Sequence, residues 1–140
     1  VCKYPKAPLI VLTGGEPSLV IDDELILGLK STGKKIAIET NGTHKLPSGI
    51  DWVTLSPKFT FVGGDAQPCV LTECDELKVV YCGQDLAVYD DIVAKHKFLQ
   101  PCFVADEQQC RQNINICVEA VLAHPDWRLS LQTHRILNIR

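Results

Sequence analysis

Short, β-branched apolar runs alternate with helical patterns along this chain, and nearly every run stops in a cluster of Gly, Pro or polar residues. Leu9-Ile10-Val11-Leu12 stops at Thr13-Gly14-Gly15-Glu16-Pro17, and Ile36-Ala37-Ile38 at Glu39-Thr40-Asn41-Gly42. Trp52-Val53-Thr54-Leu55 stops at Ser56-Pro57-Lys58, and Phe98-Leu99 at Gln100-Pro101. Leu77-Lys78-Val79-Val80 reads as a further strand, and the alternating segment 128–132 as a sixth, ended by Gln132-Thr133-His134. This order of elements predicts an α/β fold with a mainly parallel sheet. The unbroken apolar character of the first run predicts a strand buried on both faces.

The connecting segments carry helix signals. Asp22 is placed to cap a helix over 22–32, with Leu25, Ile26 and Leu29 as its inward stripe and Gly33 as its stop. A second helix is expected over 106–123, opened by Asp106 with Gln109 as a capping box. Its face would carry Cys110, Ile114, Cys117, Val118 and Val121, and His124-Pro125 would close it. A short helix over 85–94 and another near 133–139 complete the pattern. Gly63, Gly64, Asp65 and Pro68 make 59–74 an irregular segment.

Composition removes several function classes. With 140 residues the chain is one domain, and 46% hydrophobic with 22% charged residues is a globular balance. No apolar run reaches the roughly 18 residues of a membrane span. The net charge is -3, without a Lys/Arg block, which argues against direct nucleic-acid binding. Seven cysteines, at 2, 69, 74, 82, 102, 110 and 117, show no C-x-x-C spacing. They read as reduced thiols of a cytoplasmic protein. A start at Val1 and the lack of any methionine suggest a piece of a longer protein.

In parallel α/β sheets, ligands bind at the carboxyl ends of the strands. Parallel strands would therefore bring the polar clusters onto one rim. Gly14 and Gly15 allow close backbone approach and positive φ, and their amides and carbonyls suit an amino-acid headgroup. The same turn is also readable as a plain strand-to-helix connection with a surface glutamate. Ser56-Pro57-Lys58 suits a carboxylate or a ribose, or is an ordinary loop. Glu39 and Asn41 suit ribose hydroxyls, although Asn41-Gly42 is equally a turn. His134 is a candidate acid, base or donor, or a structural histidine. Cys69, Cys74 and Cys82 make a weak metal candidate. Asp75, Glu76 and Lys78 read as a solvated, salt-bridged strand edge.

Taken together, Thr13-Gly14-Gly15-Glu16-Pro17, Glu39-Thr40-Asn41-Gly42-Thr43, Ser56-Pro57-Lys58, Asp75-Glu76-Leu77-Lys78, Leu99-Gln100-Pro101 and the segment 127–134 resemble, in order and over essentially the whole chain, the 7-carboxy-7-deazaguanine synthases. These are radical S-adenosylmethionine enzymes of queuosine biosynthesis, a tRNA-modification pathway. The resemblance implies a partial (β/α) barrel of the radical S-adenosylmethionine type. It implies a carbon-nitrogen lyase that converts 6-carboxy-5,6,7,8-tetrahydropterin to 7-carboxy-7-deazaguanine with loss of ammonia. The implied cofactors are a [4Fe-4S] cluster, S-adenosylmethionine and Mg2+. The implied partners are the pterin, an electron donor such as flavodoxin, and a second copy in a homodimer, with no nucleic acid and no membrane. By the same resemblance Gly14, Gly15, Glu16, Glu39, Asn41, Ser56, Pro57 and Lys58 would bind S-adenosylmethionine. Thr13, Gln100, Pro101, His134 and Arg140 would bind the pterin.

One departure stands out. The family holds its cluster on three closely spaced cysteines, typically C-x-x-x-C-x-x-C, followed by a magnesium-binding threonine. This sequence contains no such triplet. The expectation is therefore a single domain, 1–140, that forms the later two thirds of the core, has no metal ligand of its own, is inactive alone and exposes an unpaired sheet edge. Two other readings compete: another radical enzyme, such as a glycyl-radical activase, and a cluster-less nucleoside-binding α/β module.

Overall fold

The computed structural model describes residues 3–58, 67–137 and 139. Six strands form one sheet: β1 (Leu9–Leu12), β2 (Lys35–Thr40), β3 (Trp52–Leu55), β4 (Glu73–Tyr81), β5 (Val93–Pro101) and β6 (Trp127–Leu129). Their spatial order is the sequence order, β1 to β6, and every neighbouring pair is parallel. The sheet is not closed, so β1 and β6 are its edges. A partial barrel with a parallel sheet is thus the architecture present.

Two helices follow the signals in the sequence. In α1 (Asp23–Lys30) the Asp22 carboxylate accepts from the Leu25 amide at 2.8 Å, satisfying one of the orphan donors of the first turn. Gly33, at φ +73°, ends the following turn. Only Ile26 of the expected stripe is buried, and Leu25 is exposed. In α2 (Glu107–Ala123) Asp106 caps the Gln109 amide at 2.8 Å. The capping box is not reciprocal, because the Gln109 side chain donates instead to Asn113 at 3.0 Å. The buried residues of α2 are Asn113, Cys117 and Ala120; of the expected stripe Cys117 is buried, Cys110, Ile114 and Val121 are half-buried, and Val118 is exposed. A short α3 (Thr133–Ile136) lies near the end.

Register assigns the faces, because residues paired across a ladder share one face and alternate along each strand. Leu55 pairs with Leu77, and Val79 with Leu99, which pairs with Leu129. These side chains meet α2 and the segment 86–92, so that Tyr89, Ile92, Cys117, Ala120 and Trp127 complete one buried core. The opposite face is polar. Its rows are Glu39–Thr54–Glu76–His96 and Lys78–Phe98–Arg128, then Val80–Gln100. Lower on that face Trp52 stacks on His96, with ring centroids 5.9 Å apart.

Several expectations are corrected. β1 is not buried on both faces, since Leu9 and Val11 are 45% and 48% exposed at an edge no strand covers. β4 and β5 are longer than their apolar cores, because Glu73 to Glu76 and Lys95 to Lys97 are strand residues whose charges break the apolar pattern. The helix expected over 85–94 shrinks to a 3-10 turn, Leu86–Tyr89, cut short where β5 begins at Val93. The sixth strand starts at Trp127 and ends at Leu129. Asp75, Glu76 and Lys78 are not a strand edge, because β4 lies between β3 and β5; Asp75 is paired to Lys95 at 2.6 Å. Of the irregular segment 59–74, residues 59–66 lie outside the described residues.

Gly42 shows how tightly the tip of β2 is packed. It sits at φ +77°, and a Cβ there would lie 2.5 Å from Leu55 Cδ1 and 2.7 Å from Cys69 Sγ. Gly42→Ala therefore combines left-handed strain with overpacking, each worth about 1–3 kcal/mol. Urea unfolding is expected to show a loss of at least that size, whereas Gly28→Ala, in open space on α1, is expected to be neutral or stabilising.

Candidate functional site

A cleft of about 300 Å³ opens at the carboxyl ends of the strands. The tip of β1 brings Thr13, Gly14, Gly15 and Glu16 to it, and the tip of β2 brings Glu39, Thr40 and Asn41. Ser56 and Lys58 follow β3, Lys78 and Val80 lie on β4, Gln100 on β5, and Gln132 follows β6. Glu39, Lys78, Val80 and Gln100 all belong to the polar face. The register that buries Leu77 and Leu99 is therefore the one that turns these four toward the cleft.

Local chemistry explains the first loop. Gly14 adopts φ +112°, which a side chain would strain. A Cβ on Gly14 or Gly15 would meet nothing within 4 Å, so the backbone of this turn faces open space. Pro17 opens a 3-10 turn, Pro17–Leu19, whose cap is Glu16. The Glu16 carboxylate is fully engaged within the chain. Oε1 accepts from the Ser18 amide at 3.1 Å, the Ser18 hydroxyl at 2.6 Å and the Thr40 hydroxyl at 2.6 Å. Oε2 accepts from the Asn41 amide at 2.7 Å. Burial alone would raise its pKa; the bonds from Ser18, Thr40 and Asn41 outweigh burial and hold it below the ordinary value. Glu16 thus ties the β1 turn to the tip of β2.

The tie continues outward. The Thr40 hydroxyl accepts from the Gly42 amide at 3.1 Å, and Asn41 Oδ1 accepts from the Thr43 amide at 3.0 Å and hydroxyl at 2.8 Å. Across the cleft Lys78 pairs with Glu39 at 3.3 Å. Lys58 donates to the Ser56 hydroxyl at 3.0 Å. Its side chain is open to the cleft, yet the walls strip water from the ammonium and pull its pKa down, helped by Lys78 and opposed by Glu16. In the wall, Gln132 Oε1 is buried with no hydrogen-bond partner among the described residues.

No protein-family model matches this chain. It is 51% identical over 140 residues to the 7-carboxy-7-deazaguanine synthase of Bacteroides thetaiotaomicron, covering all of this chain and 69% of that protein. The chain belongs to the 7-carboxy-7-deazaguanine synthase family. The synthase of Caulobacter vibrioides is 41% identical over 138 residues, 96% of this chain and 61% of that protein. Among solved structures, the crystal structure of QueE from Escherichia coli is similar at a TM-score of 0.63 and 29% identity, over 91% of this chain and 57% of that one. The chain thus spans about 60% to 69% of the length of these synthases.

Measured against the family's motifs, the cleft gathers Thr13, Gly14, Gly15, Glu16, Glu39, Asn41, Ser56, Lys58 and Gln100. Pro57 and Pro101 are buried beside it and do not line it, and His134 is an exposed residue of α3. Arg140 lies outside the described residues. Sequence reasoning placed Thr40 and Gln132 in the rim clusters without giving either a role, missed Val80 and set Lys78 on a solvated edge. The alternation of β4 held the signal, since Lys78 and Val80 must share a face opposite Leu77 and Val79. Among the described residues no three His, Cys, Asp or Glu side chains are grouped to hold a metal ion. A [4Fe-4S] cluster, which needs a group of cysteine thiolates, therefore does not fit the donor set of the described residues.

Glu16→Gln places an amide N–H2 against donors; the hydroxyls can rotate away, but the Asn41 N–H cannot. The expected cost at neutral pH is about 1.5–3 kcal/mol, the range for hydrogen bonds to a charged group, read by urea unfolding. Because the folded pKa is lowered, this stability is present above the unfolded value near 4.5 and is lost as pH falls through the folded value. The wild-type advantage should shrink on acidification over that window.

Proposed function

We propose that this chain carries the S-adenosylmethionine and pterin surfaces of a 7-carboxy-7-deazaguanine synthase. The reaction would convert 6-carboxy-5,6,7,8-tetrahydropterin to 7-carboxy-7-deazaguanine with release of ammonia, a carbon-nitrogen lyase step in queuosine biosynthesis. The single observation that carries this reading is the convergence of Gly15, Ser56, Lys58 and Gln100 on one cleft at the strand ends. A [4Fe-4S] cluster, where bound, supplies the electron that cleaves S-adenosylmethionine; its ligands, and those of Mg2+, would come from residues other than those described. An electron donor such as flavodoxin and a homodimer belong to the same reading of the whole protein.

This chain's own residues bind and orient. Lys58 would take the methionine carboxylate, and the Ser56 hydroxyl holds the ammonium in place. The bare backbone at Gly14 and Gly15 would receive the α-amino group on its carbonyls. Glu16 sets the height of that backbone instead of touching the ligand, because its oxygens are already occupied. Glu39 and Asn41 lie where ribose hydroxyls would reach. Thr13 after β1, Gln100 on β5 and Gln132 after β6 also line the cleft and would meet the pterin, with Gln132 Oε1 a buried acceptor in that wall. A buried acceptor without a donor costs about 1–3 kcal/mol, and the pyrimidine N–H groups of a pterin are suitable donors.

A second reading, a nucleoside-binding module without redox chemistry, rests on the chemistry of the described residues, in which no three His, Cys, Asp or Glu side chains are grouped to hold a metal ion. Two measurements separate them. Calorimetry of this chain with S-adenosylmethionine is expected to show binding that Lys58→Gln weakens tenfold or more, the loss of one charge-assisted bond of about 1.5–3 kcal/mol. In the complete gene product, reconstituted without oxygen, iron uptake and cleavage of S-adenosylmethionine support the synthase. Binding without either would leave only the module.

A further inference from the structure

Cys82 and Cys102 are the residues that follow the last registered pair of β4 and β5, Tyr81 with Pro101. Neighbouring strands lie about 4.8 Å apart. Residues in register there fall inside the Cα separation of roughly 4.4–6.8 Å that a disulfide spans. Cys102 is the neighbouring group that acts on the Cys82 thiol. Cys82 is exposed, while Cys102 is half-buried and its carbonyl is held by the Asn113 amide at 2.7 Å. Each stands two residues beyond a cleft residue, Cys82 after Val80 and Cys102 after Gln100.

We propose that Cys82 and Cys102 form a thiol–disulfide exchange site that reacts with small-molecule disulfides and, when oxidised, staples the tips of β4 and β5 beside the cleft. Cys82, the accessible member, attacks one sulfur of the small disulfide, forming a mixed disulfide and releasing one thiol. The Cys102 thiolate then attacks the Cys82 sulfur, forming the protein S–S bond and releasing the second thiol. Two cysteine thiols are oxidised, the small disulfide is reduced to two thiols, and the two cysteine protons pass to the leaving thiolates. The site stands on register and contact and does not depend on the ligand assigned to the cleft.

The remaining described cysteines have other commitments. Cys110 is bonded to the carbonyl of Val104 at 3.1 Å, Cys69 to the carbonyl of Leu71 at 3.4 Å, and Cys117 is fully buried. Cys74 is half-buried and neighbours Cys69, the one alternative pair. Although Cys82 is an exposed residue, desolvation of its thiol, with Cys102 beside it, pushes it up to about 11, so Cys82 is protonated near neutrality and waits for an oxidant. Exchange proceeds through the thiolate and is slow under such conditions, which makes the pair a reporter of sustained oxidation.

The test is peptide mapping of the 140-residue chain after incubation with oxidised glutathione and alkylation of the remaining thiols. The expected product is one species lacking two hydrogens, in which the tryptic peptide 79–95 is linked to 98–111. Cys110→Ser should keep that link, whereas Cys82→Ser and Cys102→Ser should each abolish it, and dithiothreitol should reverse it. A link between Cys69 and Cys74, a link that survives in Cys102→Ser, or only a stable mixed disulfide on Cys82 would each overturn the proposal.

Discussion

The register of the parallel ladder is the constraint from which the cleft follows. A strand has a period of two, so a one-residue slip exchanges its faces. Slipping β4 against β3 and β5 would push Lys78 into the core and turn Leu77 outward. The core forbids this, since Leu55, Leu77, Val79 and Leu99 are essentially without solvent contact, and an ammonium buried among them would go unpaired. Hydrophobic burial on one face therefore fixes the chemistry of the other. Lys78, Val80 and Gln100 reach the cleft because their neighbours must reach the core.

Glu16 adds a second level of order at the rim. Strand tips fray where the ladder ends, and loops leaving adjacent strands have no ladder to keep them in step. The Glu16 carboxylate replaces that ladder with four donors drawn from its own turn and from β2. It is a half-buried anion whose partners are neutral dipoles, so it shapes the loop without cancelling a cation needed for ligand. Preorganisation of this kind reduces what a ligand must spend on ordering the backbone at Gly14 and Gly15.

Much of this was legible from residues alone. Six strands, two capped helices and a rim of loop clusters follow from periodicity, caps and turn chemistry, because those signals are local. The Asp22 and Asp106 caps form as their spacing requires. What escaped was set by tertiary context. Glu73 and Cys74 read as irregular and Asp75 and Glu76 as a solvated edge because the charges obscure a strand, and all four are strand because β3 and β5 flank them. Lys95, His96 and Lys97 hid the start of β5 likewise, with Lys97 lying over the Trp127 ring at 5.5 Å. Asn113 displaced an apolar residue on the inner face of α2 because the Cys102 carbonyl needed a donor. In the site, the glycines and Lys58 were readable because they lie in loops at strand ends. The role of Gln132 was not, since it depends on β6 ending at Leu129, three residues earlier than the alternating segment suggests.

The charges of the cleft define what it is built to receive. Glu39 neutralises Lys78 across the β2–β4 gap, at a distance that leaves a weak, half-exposed pair. Glu16 is spent on its donors. Lys58 remains with a hydroxyl for company, partly dehydrated and repelled by Lys78, so its charged form is held at a cost. A carboxylate arriving there relieves that cost and gains a charge-assisted bond in partly dry surroundings. A neutral nucleoside offers Lys58 nothing of the kind. On the proposed reading the cleft would select a ligand that carries an anion at one end and hydrogen-bond donors at the other, with Lys58 answering the first and the bare turn carbonyls the second.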